Sequence, residues 1–538
     1  MLVKTYGSAV YGVEATTITI EVNVTEGLHT FIVGLPDNAV KESIQRVESA
    51  IKSNGYYMPR TKIIVNLAPA GIRKSGSAFD LPIALGVLAA SGQIPEFSTL
   101  KDYVIMGELG LDGSIQSIKG ALPIAIQAKK ENFKGLIVPR RNSLEAAVVR
   151  DLPVFAFIHL REVIEFFNGN GESAIPVATD PKEDLLAAMT SSDLDFCDVK
   201  GQDSIKRALE IAAAGGHNAI LIGPPGAGKT MLAKRMPTIL PPLSLQEALE
   251  TTKIHSVAGK MPGNGRLIGR RPFRSPHHTI SAMALVGGSS VPQPGEISLA
   301  HNGVLFLDEL PEFNRNVLEV MRQPMEDRKI TVSRARMSID FPASFILLAS
   351  MNPCPCGYYN HPDKECSCPP GTVLKYLNKI SGPLLDRIDL HIEVVPVPYS
   401  QLSESRGGET SSQIRERVVA ARELQRLRFA SFDHEEIYDL WSSQAVAGRP
   451  NRTVATLPTH CNAQMNSRML EEFCRIDPVG ETLLNTAMSR LHLSARAYER
   501  ILKVSRTIAD LALSETIQPE HLAEAIQYRS LDREGWAG

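Results

Sequence analysis

The sequence has no long hydrophobic run, no excess of charge of one sign, and few cysteines for its length. Its apolar stretches fall short of the roughly 18 residues that a membrane-spanning helix needs, which predicts no bilayer span. Lysine and arginine number 57 against 59 aspartates and glutamates, a net charge of −2. Any binding to nucleic acid must therefore come from a local patch. Seven cysteines in 538 residues exclude a disulfide scaffold.

The N-terminal stretch MLVKTYGSAVYGVEATTITIEV has neither the continuous apolar segment nor the cleavage site of a secretory signal. Together with the low cysteine content, this predicts a cytoplasmic protein. Hydrophobic residues make up 43% and charged residues 22%, as in soluble globular proteins. A chain of this length is expected to hold two to four domains, each with its own core.

Changes in composition predict an α/β multidomain protein. Alternating apolar residues in 17–24 and 62–67 predict strands, and helical spacing in 37–53 predicts an amphipathic helix. The predicted parts are an α/β domain at 1–168, a polar linker at 169–195, a nucleotide-binding unit at 196–397 and a charged, helix-prone region at 398–538.

The clearest motif is GPPGAGKT, which follows the apolar run 218–222 and precedes a helix-forming segment. Glycines let backbone N–H groups turn towards phosphate oxygens, and the following helix N-terminus favours an anion. Lys229 is expected to reach the β- and γ-phosphates, and the Thr230 hydroxyl to bind Mg²⁺. The predicted ATP-binding residues are Gly223, Pro224, Pro225, Gly226, Ala227, Gly228, Lys229, Thr230 and Met231.

Two further apolar strands end in polar residues suited to ATP hydrolysis. The run 303–307 is followed by Asp308, expected to hold Mg²⁺, and by Glu309, expected to polarise the attacking water. The run 344–351 ends at Asn352, which is predicted to orient the water or the γ-phosphate. The alternative for Asn352 is that it only begins a turn.

Two arginines further along the chain present planar guanidinium groups suited to phosphate contact. Arg387 lies in GPLLDRID and Arg496 in LSARAYER. By position alone, each is equally compatible with a surface salt bridge.

These motifs resemble, in content and order, those of the AAA+ ATPases: Walker A, Walker B, sensor Asn, Asp-Arg finger and Ser-x-Arg second sensor. The strings 271–278 and 294–301 are similar to the magnesium-chelatase-like branch. The strings 33–37, 66–70 and 79–85 are similar to the ComM/YifB family, and the resemblance covers essentially the whole chain.

This resemblance implies a Lon-protease-like N-terminal domain, an AAA+ core and a C-terminal helical lid. It implies that Arg387 is a finger acting on the nucleotide of a neighbouring subunit, and that Arg496 is the second sensor. Because the finger acts in trans, it further implies a homo-oligomeric ring, expected to be a hexamer. The implied activity is DNA branch migration in natural transformation or homologous recombination.

Basic residues that could contact DNA lie in two segments. The interval between Lys229 and Asp308 is rich in proline and glycine, which predicts a protruding insertion rather than a core helix; the resemblance places it towards the ring pore. Residues 329–340 alternate like a hairpin. Salt bridges between subunits are the alternative role for these residues. The candidates are Arg266, Arg270, Arg271, Arg274, His277, His278, Arg334 and Arg336. The arginines between 415 and 428 are predicted to lie on a solvated helix face.

Four cysteines cluster directly after Asn352. Cys354, Cys356, Cys366 and Cys368 have C-x-C spacing, tighter than that of common zinc sites, and His361 is an alternative ligand. Zinc held there would be structural. Unpaired structural cysteines are the other interpretation.

The N-terminal domain resembles the Lon-protease fold without an evident Ser–Lys dyad. The nucleophile position falls on Ala78, next to Ser77, and the dyad-lysine position falls on Leu122, close to Lys119. Proteolysis is therefore not expected, and a scaffold or DNA-contacting collar is predicted instead.

Two other functions fit an ATP-driven motor. One is a magnesium-chelatase motor subunit. Two features disfavour it: the N-terminal domain, which is not expected in that subunit, and the absence of a D-x-S-x-S motif. The other is a protein-remodelling chaperone.

Overall fold

The structure is a computed structural model that describes residues 1–94, 98–169, 174–190, 194–262, 265–288, 292–334, 337–361, 363–397, 408–443, 459–491 and 493–529. It holds an N-terminal α/β domain, a central α/β core and a C-terminal helical lid. No helix among these residues has both the length and the apolar character needed to cross a membrane.

The N-terminal domain is built on a mixed seven-stranded sheet of order β3-β4-β2-β1-β5-β8-β9. Its strands are β1 (Leu2–Tyr11), β2 (Glu14–Thr25), β3 (Thr30–Val33), β4 (Lys62–Ala68), β5 (Tyr103–Ile105), β8 (Gly135–Pro139) and β9 (Val154–Phe157), and a separate pair is formed by β6 (Glu108–Leu109) and β7 (Ile115–Gln116). Its helices are α1 (Asn38–Ser53), α2 (Asp80–Ala90), α3 (Ala121–Lys130), α4 (Ser143–Ala147) and α5 (Leu160–Asn168).

The predicted strands and the predicted helix of this domain are confirmed by β2, β4 and α1. Ile18, Ile20 and Val22 alternate along β2 and are fully buried, as period-two patterning requires. Helix α1 begins where the Asp37 carboxylate accepts a 2.9 Å hydrogen bond from the Val40 N–H, a side-chain cap for an otherwise unpaired donor.

The central core is built on a parallel five-stranded sheet of order β11-β14-β17-β10-β18. The central strands β10, β14 and β17 are buried along their whole length, as expected for a sheet covered on both faces. The strands of the core region are β10 (Ala219–Ile222), β11 (Phe273–Arg274), β12 (Gly287–Gly288), β13 (Gln293–Pro294), β14 (Val304–Leu307), β15 (Lys329–Arg334), β16 (Met337–Pro342), β17 (Ile346–Met351) and β18 (Leu390–Glu393).

Short helices connect these strands, and a second group forms the lid. The core helices are α7 (Asp203–Gly215), α8 (Lys229–Ile239), α9 (Leu245–Ala258), α10 (Ala282–Val286), α11 (Glu296–Leu299), α12 (Arg315–Glu319), α13 (Arg322–Asp327), α14 (Thr372–Leu377) and α15 (Gly382–Leu385). The lid helices are α16 (Ser411–Ser443), α17 (Ser467–Phe473), α18 (Pro478–Arg490), α19 (Ala495–Leu511) and α20 (Pro519–Gln527).

A buried polar network joins the lid to the core. His217, which follows α7, has Nδ1 3.1 Å from the Asp389 carboxylate and Nε2 2.8 Å from the Thr507 hydroxyl of α19. Arg500 of the same lid helix donates to Asp389 at 2.9 Å. Through Thr507 and Arg500, these buried contacts join α19 to His217 and to Asp389, the residue before β18.

The arginines of helix α16 divide between solvent and the contact of lid with core. Arg417 and Arg426 are exposed, as the sequence predicts. Arg422 and Arg428 are not: Arg422 donates to the Ala213 carbonyl at the end of α7, and Arg428 pairs with the buried Asp510. These two arginines therefore border the contact between lid and core.

The predicted linker contains a helix, α6 (Pro181–Thr190). Asp184 in this helix is buried and pairs with Arg266 at 3.2 Å. The first turn of α6 carries acidic residues, which favour a helix N-terminus and explain why a polar stretch is helical.

The interval between Lys229 and Asp308 is not a single protruding insertion, so that prediction was wrong for α9 and β11. Helix α9 packs on α3 of the N-terminal domain, and its Ser256 hydroxyl donates to Glu145 of the neighbouring α4 at 2.5 Å. The Ser256 carbonyl also accepts from the Gly120 N–H at 3.0 Å. Strand β11 joins the edge of the central sheet by pairing with β14.

Candidate active site

The phosphate loop connects β10 to α8 in a conformation that requires glycine. Gly226 and Gly228 have φ of +79° and +86°, in the left-handed region. A Cβ at Gly223 would lie 2.3 Å from the carbonyl oxygen of Val394, the residue after β18, so the chain at the end of this strand closes one side of the loop. A Cβ at Gly226 would meet no described atom within 4 Å. The loop is therefore open on the side where a phosphate would approach.

Lys229, the first residue of α8, points back across the loop. Its ammonium donates to the carbonyl oxygens of Gly223 at 2.7 Å and Pro224 at 3.0 Å, and to Asn352 Oδ1 at 3.0 Å. Burial lowers the pKa of Lys229, while Asp308 and Glu309 oppose that shift. Three oxygens gathered around one ammonium are the environment that phosphate oxygens would supply, so the residues fit a nucleoside triphosphate.

Thr230 and Asp308 bring the next strand into the same site. The Thr230 hydroxyl donates to Asp308 Oδ2 at 2.9 Å, and the Ser350 hydroxyl donates to the other oxygen of that carboxylate. A hydroxyl and a carboxylate are hard oxygen ligands of the kind Mg²⁺ prefers. Mg²⁺ bound there would neutralise charge on the β- and γ-phosphates. Ser350 is not predicted from the sequence, because it lies inside an otherwise apolar run.

Glu309 stands beside this pair in a strained backbone conformation. Its φ is +55°, a region that a non-glycine residue rarely adopts. Its side chain is 57% exposed, and its carboxylate lies 3.5 Å from His278 Nδ1. The His278 ring in turn lies 4.1 Å from that of His277. His278, predicted as a DNA contact, is thus placed against the predicted catalytic carboxylate.

A cavity of about 390 Å³ opens beside Glu309 and Asn352. Lys379 on its wall pairs with Glu312 at 3.1 Å, and burial raises the pKa of the Tyr376 hydroxyl. Its lining residues are Glu309, Glu312, Asn352, Pro355, Thr372, Lys375, Tyr376 and Lys379. Glu309 and Asn352, which the sequence predicts to position the attacking water, therefore line the same cavity.

Arg387 and Arg496 lie together at a different place. Arg387 is 11% exposed and pairs with Glu326 at 2.6 Å. Arg496 is 65% exposed and pairs with Asp386, the residue before Arg387, at 3.3 Å. Within one chain the structure therefore gathers Lys229, Thr230, Asp308, Glu309 and Asn352, and places the two arginines beside each other with other partners.

Three of the arginines predicted to contact DNA make ion pairs within the chain. Arg271 is 14% exposed, pairs with Glu247 at 3.2 Å and donates to the carbonyls of Pro241 and Asn302. Arg274 pairs with Glu296 at 2.6 Å, and Arg266 with Asp184. For Arg271 the structure assigns a structural role, since its donors are taken up by neighbouring oxygens.

The other candidates lie nearer the surface. Arg270 and His277 are exposed, and His277 Nδ1 lies 3.0 Å from the Thr279 hydroxyl. The predicted hairpin at 329–340 is confirmed as β15 paired with β16. Arg334 ends β15, but its side chain and the whole of Arg336 lie outside the described residues.

The four clustered cysteines converge into one group. All four sulfurs lie within 4.8 Å of one another, an arrangement compatible with a bound metal ion. The alternative ligand His361 lies outside this group, and its Nδ1 accepts a hydrogen bond from the Asp363 N–H at 3.0 Å.

The residues nearest to a protease dyad have other partners. The Ser77 hydroxyl donates to the Glu108 carboxylate. Leu122 is fully buried, and the Lys119 side chain packs where a Cβ at Gly259 would stand, 2.9 Å from its Cε. The structure therefore does not pair Ser77 with Lys119.

Comparison with protein families gives matches along most of the chain. A model described as Magnesium chelatase, subunit ChlI matches residues 195–402, and one described as Subunit ChlI of Mg-chelatase matches 20–142. A third, Magnesium chelatase, subunit ChlI C-terminal, matches 408–529. Fold, site and family models together define a magnesium-chelatase-like protein of the AAA+ class, in which ATP and Mg²⁺ are the expected ligands.

Individual relatives narrow the assignment. The Competence protein ComM of Haemophilus influenzae is 44% identical over 531 residues, covering 98% of this chain and 97% of ComM. YifB of Escherichia coli is 43% identical over 529 residues, covering 98% and 96%. Lon protease 2 of Bacillus subtilis is 31% identical over 157 residues, or 27% of each chain. The chain belongs to the ComM/YifB family, as its motifs predicted.

Proposed function

We propose that this protein hydrolyses ATP in a ring of identical subunits and uses the energy to move DNA branch points. The observation that carries the proposal is the meeting of Lys229, Thr230, Asp308 and Asn352 at the carboxyl ends of three adjacent parallel strands. In this arrangement Lys229 binds the β- and γ-phosphates and Glu309 orients the attacking water. The proximity of these groups supports in-line phosphoryl transfer to water.

A ring is supported by what one chain leaves incomplete. Hydrolysis is accelerated by an arginine that stabilises charge on the transferring phosphoryl group. Arg387 and Arg496 lie side by side around Asp386, with partners other than the phosphate loop. We infer that both arginines complete the nucleotide site of an adjacent subunit, with Arg387 leaving Glu326 when the subunits meet. A hexamer is the number that the family resemblance favours.

DNA as the substrate is supported by the relative named for competence and by the surface position of Arg270 and His277. Phosphate contacts by such residues bind DNA without reading its sequence, which suits a protein that moves along the polymer. Because His278 contacts Glu309, DNA bound at this surface would affect the position of the catalytic carboxylate through His278.

The test is ATP turnover and junction movement measured with the purified protein. We expect three- or four-stranded DNA junctions to stimulate ATP turnover. Their branch points should move, separating the strands into the expected duplex products, only when ATP is hydrolysed. A Lys229→Ala variant serves as the control for contaminating ATPases. If junction DNA neither stimulates turnover nor moves, the DNA part of the proposal is wrong.

A magnesium-chelatase motor subunit is the second candidate, favoured by the descriptions of the three matching family models. The sequence led us to count the N-terminal domain against this candidate. That expectation was wrong, because residues 20–142 match a family model with a chelatase description. Insertion of Mg²⁺ into a porphyrin with partner subunits would support it. A chaperone would instead show turnover stimulated by unfolded protein and not by DNA.

A further inference from the structure

The four cysteines after Asn352 have the spacing of a tetrahedral metal site. Cys354 Sγ lies 3.2 Å from Cys356 Sγ and 3.7 Å from Cys366 Sγ, and the last two sulfurs are 3.5 Å apart. Cys354 is buried, and the other three thiols are partly exposed. These distances are far longer than the roughly 2.05 Å of a disulfide bond.

Zinc accounts for this spacing. A tetrahedral Zn²⁺ with Zn–S distances of about 2.3 Å holds its four sulfurs about 3.8 Å apart. Four thiols fill the coordination sphere and leave no position for water, so such a site is structural. We propose that Cys354, Cys356, Cys366 and Cys368 bind one Zn²⁺ as thiolates, releasing their protons, and that this zinc braces the ATP site.

The first reason for this second role is the position of the cluster along the chain. Cys354 is two residues beyond Asn352, whose side chain accepts the hydrogen bond from Lys229. Between β17 and α14 the described residues form turns rather than helices or strands, so regular backbone pairing does little to fix Asn352 from that side. A metal bound immediately after Asn352 would restrict this segment where regular structure does not.

The second reason is contact with the phosphate loop. Gly357, which follows Cys356, has φ of +86°, and a Cβ there would lie 2.6 Å from Pro225 Cδ. The segment that carries the four cysteines, here called the cysteine loop (354–368), therefore contacts the phosphate loop directly at Pro225. Pro355, between the first two cysteines, also lines the cavity shared by Glu309 and Asn352.

These contacts make the zinc a support for two parts of the nucleotide site at once. Loss of the metal would free Asn352 at one end of the cysteine loop and remove the surface that backs Pro225. Small displacements of positioning groups reduce turnover strongly, so we expect kcat for ATP to fall roughly tenfold to a hundredfold. This consequence depends on the proposed ATPase activity, whereas binding of zinc does not.

The experiment measures metal content and nucleotide binding separately. Elemental analysis of the full chain purified without added metal should give about one zinc per chain. Cys356→Ser and Cys366→Ser should lose it, and Cys197→Ser, a partly exposed cysteine outside the cluster, should retain it. Co²⁺ exchanged into the wild type should show the intense visible absorption of tetrahedral thiolate coordination.

Binding of a fluorescent ATP analogue then tests the brace. We expect the two zinc-free variants to bind it several-fold more weakly than Cys197→Ser, while circular dichroism shows that they remain folded. Wild-type protein without zinc, with all four thiols reactive under native conditions, would overturn the metal site. Stoichiometric zinc with unchanged nucleotide binding in the two variants would overturn the brace. Zinc present in a protein that hydrolyses no ATP would refute only the ATPase proposal.

Discussion

Thr230 Oγ1 lies 2.9 Å from Asp308 Oδ2, so a hydroxyl in the first turn of α8 is hydrogen-bonded to the carboxylate of the residue that follows β14. The two residues are separated by 78 positions in the sequence. They meet because β10 and β14 flank β17 in one parallel sheet, whose carboxyl ends share an edge. In the proposed function this pair binds Mg²⁺, and Lys229 with Asn352 binds the phosphates.

Replacing Thr230 by alanine should remove one Mg²⁺ ligand and leave the phosphate loop intact. Because metal stabilisation of the transition state is worth several kcal/mol, kcat should fall roughly a hundredfold or more. Thr230→Ser keeps the hydroxyl and is the matched control, for which we expect near-normal turnover. Steady-state kinetics over a range of Mg²⁺ concentrations make the comparison. Equal activity in the two variants would remove Thr230 from the metal site.

Glu309→Gln should bind ATP and fail to hydrolyse it. The amide cannot polarise water, and general-base contributions are typically about a hundredfold to ten-thousandfold.

His278→Ala should leave basal turnover within a fewfold of the wild type and weaken stimulation by DNA, because the contact of His278 with Glu309 is the proposed link between bound DNA and hydrolysis. Single-turnover hydrolysis and ATP binding are measured in parallel. Normal hydrolysis by Glu309→Gln would contradict the role of that carboxylate.

Replacing the largely buried Arg271 and replacing the exposed Arg270 should have different effects. Arg271→Ala leaves the partly buried Glu247 without its partner and should lower the free energy of unfolding by about 1–3 kcal/mol. Arg270→Ala should lower the melting temperature less than Arg271→Ala does, and should weaken binding to DNA with a reduced salt dependence. Thermal melts and DNA titrations at two salt concentrations measure both effects. A stable Arg271→Ala protein with weaker DNA binding would reverse our assignment.

The polar network between core and lid should make stability depend on pH. Burial lowers the pKa of His217, and Arg500 with His217 holds the pKa of Asp389 below its usual range despite burial. For a group whose folded pKa is lowered, stabilisation is complete above the unfolded value and lost as pH falls below it. For His217 that loss begins near pH 6.5.

We therefore expect the melting temperature to fall by a few degrees between pH 7.5 and 5.5. His217→Gln should flatten this dependence, because the glutamine does not titrate. His29→Gln, at an exposed histidine, is the control and should follow the wild type. Calorimetry across this pH range measures the effect. Parallel curves for His217→Gln and the wild type would contradict it.

The sequence was sufficient to predict the residues of the phosphate loop and of two strand ends. Glycine and lysine spacing in this loop follows from phosphate geometry, and Asp308 and Asn352 each end a continuous apolar run. The partner Ser350 could not be predicted, because a serine within a buried strand has no local pattern that reveals what it faces. His278 was assigned to DNA from composition, whereas its contact with Glu309 depends on how the sheet assembles.

The same limit applies to the fold. Strands β2 and β4 alternate over several residues and could be predicted, but β11, β12 and β13 span two residues each and carry no periodicity. The interval around α9 resembled a surface insertion because proline and glycine are frequent there. Its docking on the N-terminal domain includes the hydrogen bond between Ser256 and Glu145 of α4, which are 111 positions apart.

The central claim is that ATP is hydrolysed between subunits and that this moves DNA. Mixing two inactive variants tests it most directly: Arg387→Ala supplies an intact phosphate loop, and Lys229→Ala supplies an intact finger. We predict that equimolar mixtures regain part of the junction-stimulated ATPase and of junction movement, because some interfaces combine both intact halves. Arg426→Ala, at an exposed ion pair, is the control and should be active alone. Mixtures that remain as inactive as either variant would contradict the account.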